Sequence, residues 1–256
     1  MHTTAVIKHI VDWLSNYSET SCTKGFVVGV SGGVDSAVTS TLCALTGKNV
    51  IVVNMPILQP PSQYQRSNEH LEWLKNKFSN VTSFNVDLTK SFEQISTDLT
   101  NDIQDHLTMA NVRARLRMTS LYAYAGHYGC LVAGTGNKVE DFGVGFFTKY
   151  GDGGVDVSPI ADLMKTEVFA LAKELDIIKS IQSAKPTDGL WDDDRSDEDQ
   201  IGATYPELEW AMTYNGKESA LSKREIEILA IYRKLNKANQ HKMNPIPVCI
   251  IPESLK

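Results

Sequence analysis

The stretch Gly25-Phe26-Val27-Val28-Gly29-Val30-Ser31-Gly32-Gly33-Val34-Asp35-Ser36 runs from an apolar segment through a Ser-Gly-Gly turn into residues that suit the start of a helix. It reads as strand, anion-binding loop and helix. Adjacent glycines at 32 and 33 let the backbone take positive φ and bring its N–H groups close to a ligand, and a helix beginning near Val34 adds the positive end of its dipole. Such a site suits a polyphosphate. Ser31 and Ser36 supply hydroxyl donors, whereas Asp35, a carboxylate beside bound phosphates, makes chemical sense when a divalent cation bridges the two. The alternative is a plain strand-to-helix turn with Ser31 or Asp35 as the helix cap.

Outward from this stretch the chain alternates strand and helix. Val6, Ile7, Ile10, Val11, Leu14 and Tyr17 recur at helical spacing, which predicts an amphipathic N-terminal helix over about residues 4–17. A second helix follows the loop and ends at Gly47; the continuous apolar run from Asn49 to Pro56 then predicts a strand covered on both faces. Further helices are expected over about 68–78, 91–107, 110–126, 165–175 and 222–237, with strands near 82–86 and 130–135. This alternation predicts an α/β fold with a doubly wound, mostly parallel sheet, whose ligands sit at the carboxyl ends of the strands. No internal repeat or low-complexity linker divides the 256 residues, so a single domain over 1–256 is expected.

Composition narrows the function classes. With 42% hydrophobic residues the chain has ample material for a core, and a net charge of −6 argues against a general nucleic-acid binder, which needs a basic surface. No apolar run approaches a membrane span, and the start Met1-His2-Thr3-Thr4 lacks a signal peptide's basic and apolar regions, so a soluble cytoplasmic protein is expected. Cys22, Cys43, Cys130 and Cys249 have no metal-site spacing and no nucleophile elbow, which argues against a zinc site, a disulfide framework or a built-in glutaminase. The polar, acidic stretch over about residues 184–199, including Asp192-Asp193-Asp194-Arg195-Ser196-Asp197, reads as a solvated loop, or more sharply as a mobile lid.

The loop Ser31-Gly32-Gly33-Val34-Asp35-Ser36 is neither a Walker A nor a Gly-x-Gly-x-x-Gly; it resembles the Ser-Gly-Gly-x-Asp-Ser loop of the ATP pyrophosphatases. Other stretches narrow the resemblance to the NAD synthetase family. They are Asn111-Val112-Arg113-Ala114-Arg115-Leu116-Arg117-Met118, Gly134-Thr135-Gly136-Asn137-Lys138-Val139-Glu140, Pro159 through Lys165, Lys185-Pro186-Thr187 and His241-Lys242. The most specific is Gly145-Phe146-Phe147-Thr148-Lys149-Tyr150-Gly151-Asp152-Gly153-Gly154-Val155-Asp156, because a run of that length does not recur by chance.

The resemblance implies a five-stranded sheet and an ammonia-dependent ligase: ATP adenylates the nicotinate carboxylate of deamido-NAD, pyrophosphate leaves, and ammonia displaces AMP. It further implies that Gly29, Val30, Ser31, Gly32, Gly33, Val34, Asp35 and Ser36 hold ATP together with Thr135, Lys165 and Thr187. Asp35 and Glu140 are the implied Mg2+ ligands, with Lys165 as a cation on the phosphates. Arg115, Lys149, Asp156, His241 and Lys242 are the implied deamido-NAD contacts, in a homodimer with no nucleic-acid or membrane partner. Two departures stand out. Met55-Pro56-Ile57-Leu58-Gln59-Pro60-Pro61-Ser62-Gln63 lacks the Tyr and acidic pair often found after the second strand, and Met243-Asn244 stands where relatives often carry arginine. Other amidating or tRNA-modifying pyrophosphatases, and a nucleotide-binding protein of this fold without catalysis, are the alternative readings.

Overall fold

Phe26, Val27 and Val28 are fully buried in β1 (Gly25–Gly29), the strand that leads into the Ser-Gly-Gly loop. A strand buried on both faces needs pairing on both edges and helices above and below. The structure, a computed structural model, describes residues 1–187 and 196–256 and supplies both. β1 pairs in parallel with β2 (Asn49–Asn54), which pairs in parallel with β3 (Val81–Asn85); on its other edge β1 pairs in parallel with β4 (Leu131–Val132). The order β3-β2-β1-β4 reverses between β1 and β4, and that reversal opens a crevice at the strands' carboxyl ends.

Alternation along the strands sorts the core. Phe26, Val28, Val50 and Val52 face α1 (Thr3–Thr20), α2 (Val34–Leu45) and α3 (Pro61–Lys77), while Val27, Ile51 and Val53 face α4 (Thr89–Asp98) and α5 (His106–Tyr128). α6 (Lys165–Glu174) and α7 (Lys179–Gln182) complete the first layer through Val168, Leu171 and Ile181. Beyond the sheet, α8 (Asp197–Ile201), α9 (Tyr205–Thr213) and α10 (Lys223–Met243) follow; α9 and α10 pack with a π-helical turn, Val139–Val144, around Leu208, Ile228 and Leu229. No helix among the described residues is long and apolar enough to cross a membrane.

The expected fifth strand is not formed: the sheet among the described residues has four. Its place beside β4 is taken by a single parallel bridge between Ala133 and Val157. The Asp156 carboxylate accepts the Val132 N–H at 2.8 Å, standing in for a backbone acceptor, and Pro159 shortly afterwards has no N–H to continue a ladder. Other boundaries shift for local reasons. α3 starts at Pro61, earlier than expected, because proline is well placed in a first helical turn. Asp105 caps α5 by accepting the Thr108 N–H at 3.0 Å, which separates it from α4. The chain from Pro245 to Pro252 has no regular structure, and Ile246, Val248 and Ile250 are exposed. Half of the expected mobile stretch, residues 188–195, lies outside the described residues; Ser196 and Asp197 towards its end are buried rather than solvated.

His70 on α3 is fully buried, stacked on Trp73 and hydrogen-bonded through Nε2 to Ser40 Oγ at 3.0 Å. Burial pushes its imidazole pKa down to about 4. The unfolded chain therefore binds the extra proton first, so the stabilising contribution is complete above the ordinary histidine range and is lost as pH falls toward 4. Thermal unfolding followed from pH 7 to pH 4 should show a loss of up to about 3 kcal/mol from this group, and His70→Gln should flatten that limb of the profile.

Candidate active site

Three segments distant in sequence converge at the crevice between β1 and β4. The loop after β1 braces itself: Ser36 Oγ accepts the Ser31 N–H at 3.2 Å and donates to Gly33 O at 3.0 Å. Gly32 has φ of +82°, and a Cβ there would lie 2.8 Å from Gln63 O and 3.0 Å from Ser67 N on α3, so only glycine fits. Gly33 then serves as N-cap of α2, leaving the first N–H groups of that helix without a side-chain cap and free to meet an anion.

Asn137, just past β4, joins this loop to the next segment. Fully buried, it donates from Nδ2 to Asp35 Oδ1 at 3.1 Å, while its Oδ1 accepts the N–H groups of Val139 and Glu140, each at 3.1 Å. One side chain thus sets both carboxylates. Lys165, the first residue of α6, places its ammonium between them, 2.6 Å from Asp35 Oδ2 and 2.8 Å from Glu140 Oε1, with the lysine only 3% exposed. A cation at a helix N-terminus opposes the helix dipole, so its position is set by the two carboxylates and not by the helix.

Tyr205, the first residue of α9, closes the cluster from the far side. Its hydroxyl donates to Glu140 Oε1 at 2.5 Å and lies 3.2 Å from Asp197 Oδ2, and its ring lies 4.7 Å from the Lys165 ammonium. Burial raises the Asp35 pKa, with Glu140 adding to the rise and Lys165 opposing it. Burial pushes Glu140 the same way, but Lys165 and the hydrogen bonds from Lys165, Tyr205 and Asn137 bring it below its ordinary value. Lys165 is likewise disfavoured by burial, yet the two carboxylates hold its pKa above the ordinary lysine value. The Tyr205 hydroxyl is held neutral by burial and by the Glu140 and Asp197 carboxylates. Two carboxyl groups thus share one ammonium in a buried cluster.

The run 145–156 lies against the end of α10. Gly145 has φ of +67°, and Asn239 packs where a Cβ would stand, with its Nδ2 donating to Val144 O at 2.8 Å. Lys149 Nζ donates to His241 O at 2.5 Å, Lys242 Nζ to Phe147 O at 2.7 Å, and Arg115 Nη2 to Lys149 O at 3.3 Å. Four of the five expected dinucleotide contacts are therefore gathered at one place. The fifth, Asp156, stands apart with both oxygens engaged, one by Val132 N–H and one by the Tyr122 hydroxyl at 2.9 Å.

This arrangement has known counterparts. The NAD synthase family model matches residues 6–245. The chain belongs to the NAD synthase family. Over 206 residues it is 38% identical to the NH3-dependent NAD+ synthetase of Mycoplasma genitalium, covering 79% of this chain and 80% of that one. The solved structure of NMN synthetase from Francisella tularensis is 31% identical with a TM-score of 0.86 over 99% of both chains. The NH3-dependent NAD synthetase of Campylobacter jejuni, at 24% identity, has the same fold with a TM-score of 0.79 over 98% of this chain and 100% of that one.

Of the residues expected at an ATP site, 29–36 run from β1 into α2 at the crevice, Thr135 sits half-buried between β4 and Asn137, and Lys165 joins the carboxylates. Thr187 is the last residue before the stretch left undescribed. Sequence reading missed Asn137 and Tyr205. Asn137 was quoted within a glycine-rich run and given no role; Tyr205 sits in a helix whose capping box, Thr204-x-x-Glu207, signals its start.

Lys165→Met leaves two buried carboxylates uncompensated and should cost about 3–5 kcal/mol of stability by chemical denaturation. Adding Asp35→Asn and Glu140→Gln to it should recover most of that loss. Tyr205→Phe removes one charged hydrogen bond and should cost about 1.5–3 kcal/mol.

Proposed function

We propose that this chain is an ammonia-dependent synthetase that amidates the nicotinate carboxylate of deamido-NAD at the expense of ATP, giving NAD, AMP and pyrophosphate. Membership of the NAD synthase family over residues 6–245 carries this reading, and the braced anion loop beside the Asp35–Lys165–Glu140 cluster supports it. A carboxylate is a poor acyl donor until one oxygen becomes a good leaving group. A nicotinate oxygen attacks the α-phosphorus of ATP and pyrophosphate departs; ammonia then attacks the acyl carbon, AMP departs with that oxygen, and a proton is released. No covalent nucleophile is required from the protein, whose task is to hold the reacting groups in line and neutralise their charge.

In this proposal the N–H groups of the loop and of the first turn of α2 hold the phosphates, with Gly29 to Ser36, Thr135 and Thr187 lining ATP. Asp35 and Glu140 would hold Mg2+. The fit is chemical: both are hard oxygen donors, set on either side of one ammonium beside the anion loop. Mg2+ is commonly bound by one or two carboxylates and completed by water and substrate phosphates. When bound it would offset the charge that builds on the departing pyrophosphate. Lys165 favours the ionised forms of Asp35 and Glu140 and holds the two together. Arg115, Lys149, His241 and Lys242 would receive the anionic groups of deamido-NAD. A cytoplasmic homodimer, without nucleic-acid or membrane partners, is part of the same proposal.

A second reading concerns the substrate. Full-length likeness to an NMN synthetase favours nicotinate mononucleotide, which carries the same carboxylate and demands the same adenylation. Purified protein with ATP, Mg2+ and ammonium should convert deamido-NAD to NAD with equal amounts of AMP and pyrophosphate; ADP and phosphate instead would refute the mechanism. The ratio of kcat/KM for deamido-NAD and nicotinate mononucleotide, measured in the same preparation, decides between the two substrates.

A further inference from the structure

The cations placed around the crevice are nearly all engaged. Lys165 is bonded to Asp35 and Glu140; Lys149, Lys242 and Arg115 donate to main-chain carbonyls; and Arg117 donates to Met55 O at 3.0 Å and Gln59 Oε1 at 2.9 Å. Arg66 differs. It lies on α3 three residues after Gln63 and four before His70, both buried, so its stem runs along the edge of the helix face that packs inward. That face lies directly on the phosphate loop: a Cβ at Gly32 would stand 3.3 Å from Arg66 Cβ. Its Nε is buried without a hydrogen-bond partner, and no ion pair of Arg66 is found among the described residues. The nearest acidic residues along α3 have other partners, Glu69 receiving Gln65 and Ser180, and Glu72 pairing with Lys75.

An arginine whose Cβ borders the anion loop and whose buried Nε has no acceptor has donor capacity left for a phosphate. The loop supplies N–H groups but no cation, and the neighbouring carboxylate cluster leaves its own lysine no free charge to offer. We propose that Arg66 binds the triphosphate of ATP and then the departing pyrophosphate, as the cation of the Ser31–Ser36 loop. This rests on the ATP-dependent reading above. The planar fork of arginine matches two phosphate oxygens, a match that lysine cannot reproduce.

Arg66→Gln and Arg66→Lys test the assignment. Equilibrium titration with Mg-ATP and with pyrophosphate, which needs no turnover, should show binding to Arg66→Gln weakened about tenfold or more, and Arg66→Lys should recover it in part. In steady state the KM for ATP and the inhibition constant for pyrophosphate should rise together while the KM for the nicotinate substrate stays put. Unchanged binding of both ligands would overturn the proposal. So would a parallel rise of every KM together with a lowered melting temperature, which would mark Arg66 as structural. If wild-type protein binds Mg-ATP but makes no AMP and pyrophosphate, the amidation reading fails, and the titration still decides the role of Arg66.

Discussion

The ammonium of Lys165, set between Asp35 and Glu140, is the interaction on which the rest of the site depends. It joins the start of α2, the turn after β4 and the start of α6, segments 130 and 25 residues apart in sequence. Burial opposes all three charges, so each is stable only while the others stay in place. That mutual dependence explains an otherwise poor local choice, a lysine in the first turn of a helix. Local rules are broken where function demands it, and the surrounding structure compensates. Here Asn137, Tyr205 and the capping glutamate of α6, whose Oε2 accepts the Met164 N–H at 2.9 Å, hold the three segments in register.

The topology makes this convergence possible. Because the strand order reverses between β1 and β4, the loops that follow those strands diverge to opposite faces and leave a crevice between them. The Ser-Gly-Gly loop leaves one side and residues 134–140 the other. Asn137 spans the gap with a single amide, and its fully buried position allows its donor and its acceptor to serve different loops. The third cluster of apolar residues, built by the turn at Val139–Val144 with α9 and α10, then brings Tyr205 and the end of α10 to the same crevice.

What the sequence disclosed follows from how local each signal is. The anion loop was legible because two glycines, an apolar strand and a helix start lie within a dozen residues. The parallel sheet was legible from continuous apolar runs at Phe26–Val30 and Val50–Val53. The pairing of Lys165 with the carboxylates was not derivable from spacing; family resemblance alone placed the three near one ligand. Tyr205 was not legible because its partner lies across the fold: Glu140 is 65 residues from it. The fifth strand failed for the converse reason. It was implied by the resemblance alone and marked by no apolar run, and no local signal foretells that a carboxylate will accept the edge N–H, as Asp156 does for Val132.

The same geometry bears on how a second substrate would be received. Lys149, Lys242 and Arg115 each donate to a neutral carbonyl of the segment they border: the two lysines hold the run 145–156 against the last turn of α10, and Arg115 ties it to α5. A cationic donor bonds an anionic oxygen more strongly than it bonds a neutral carbonyl. In the proposed reaction, an arriving carboxylate or phosphate therefore displaces carbonyls instead of filling empty donors. What it gains is only the difference between the two bonds, and the freed carbonyls must turn to water. Binding at this place thus loosens the clasp between the glycine-rich run and α10. The cost is least where the glycines at 151, 153 and 154 let the backbone readjust. The contrast with the proposed ATP side is physical: there the first N–H groups of α2 have no side-chain cap, so phosphates would meet donors with no side-chain bond to give up.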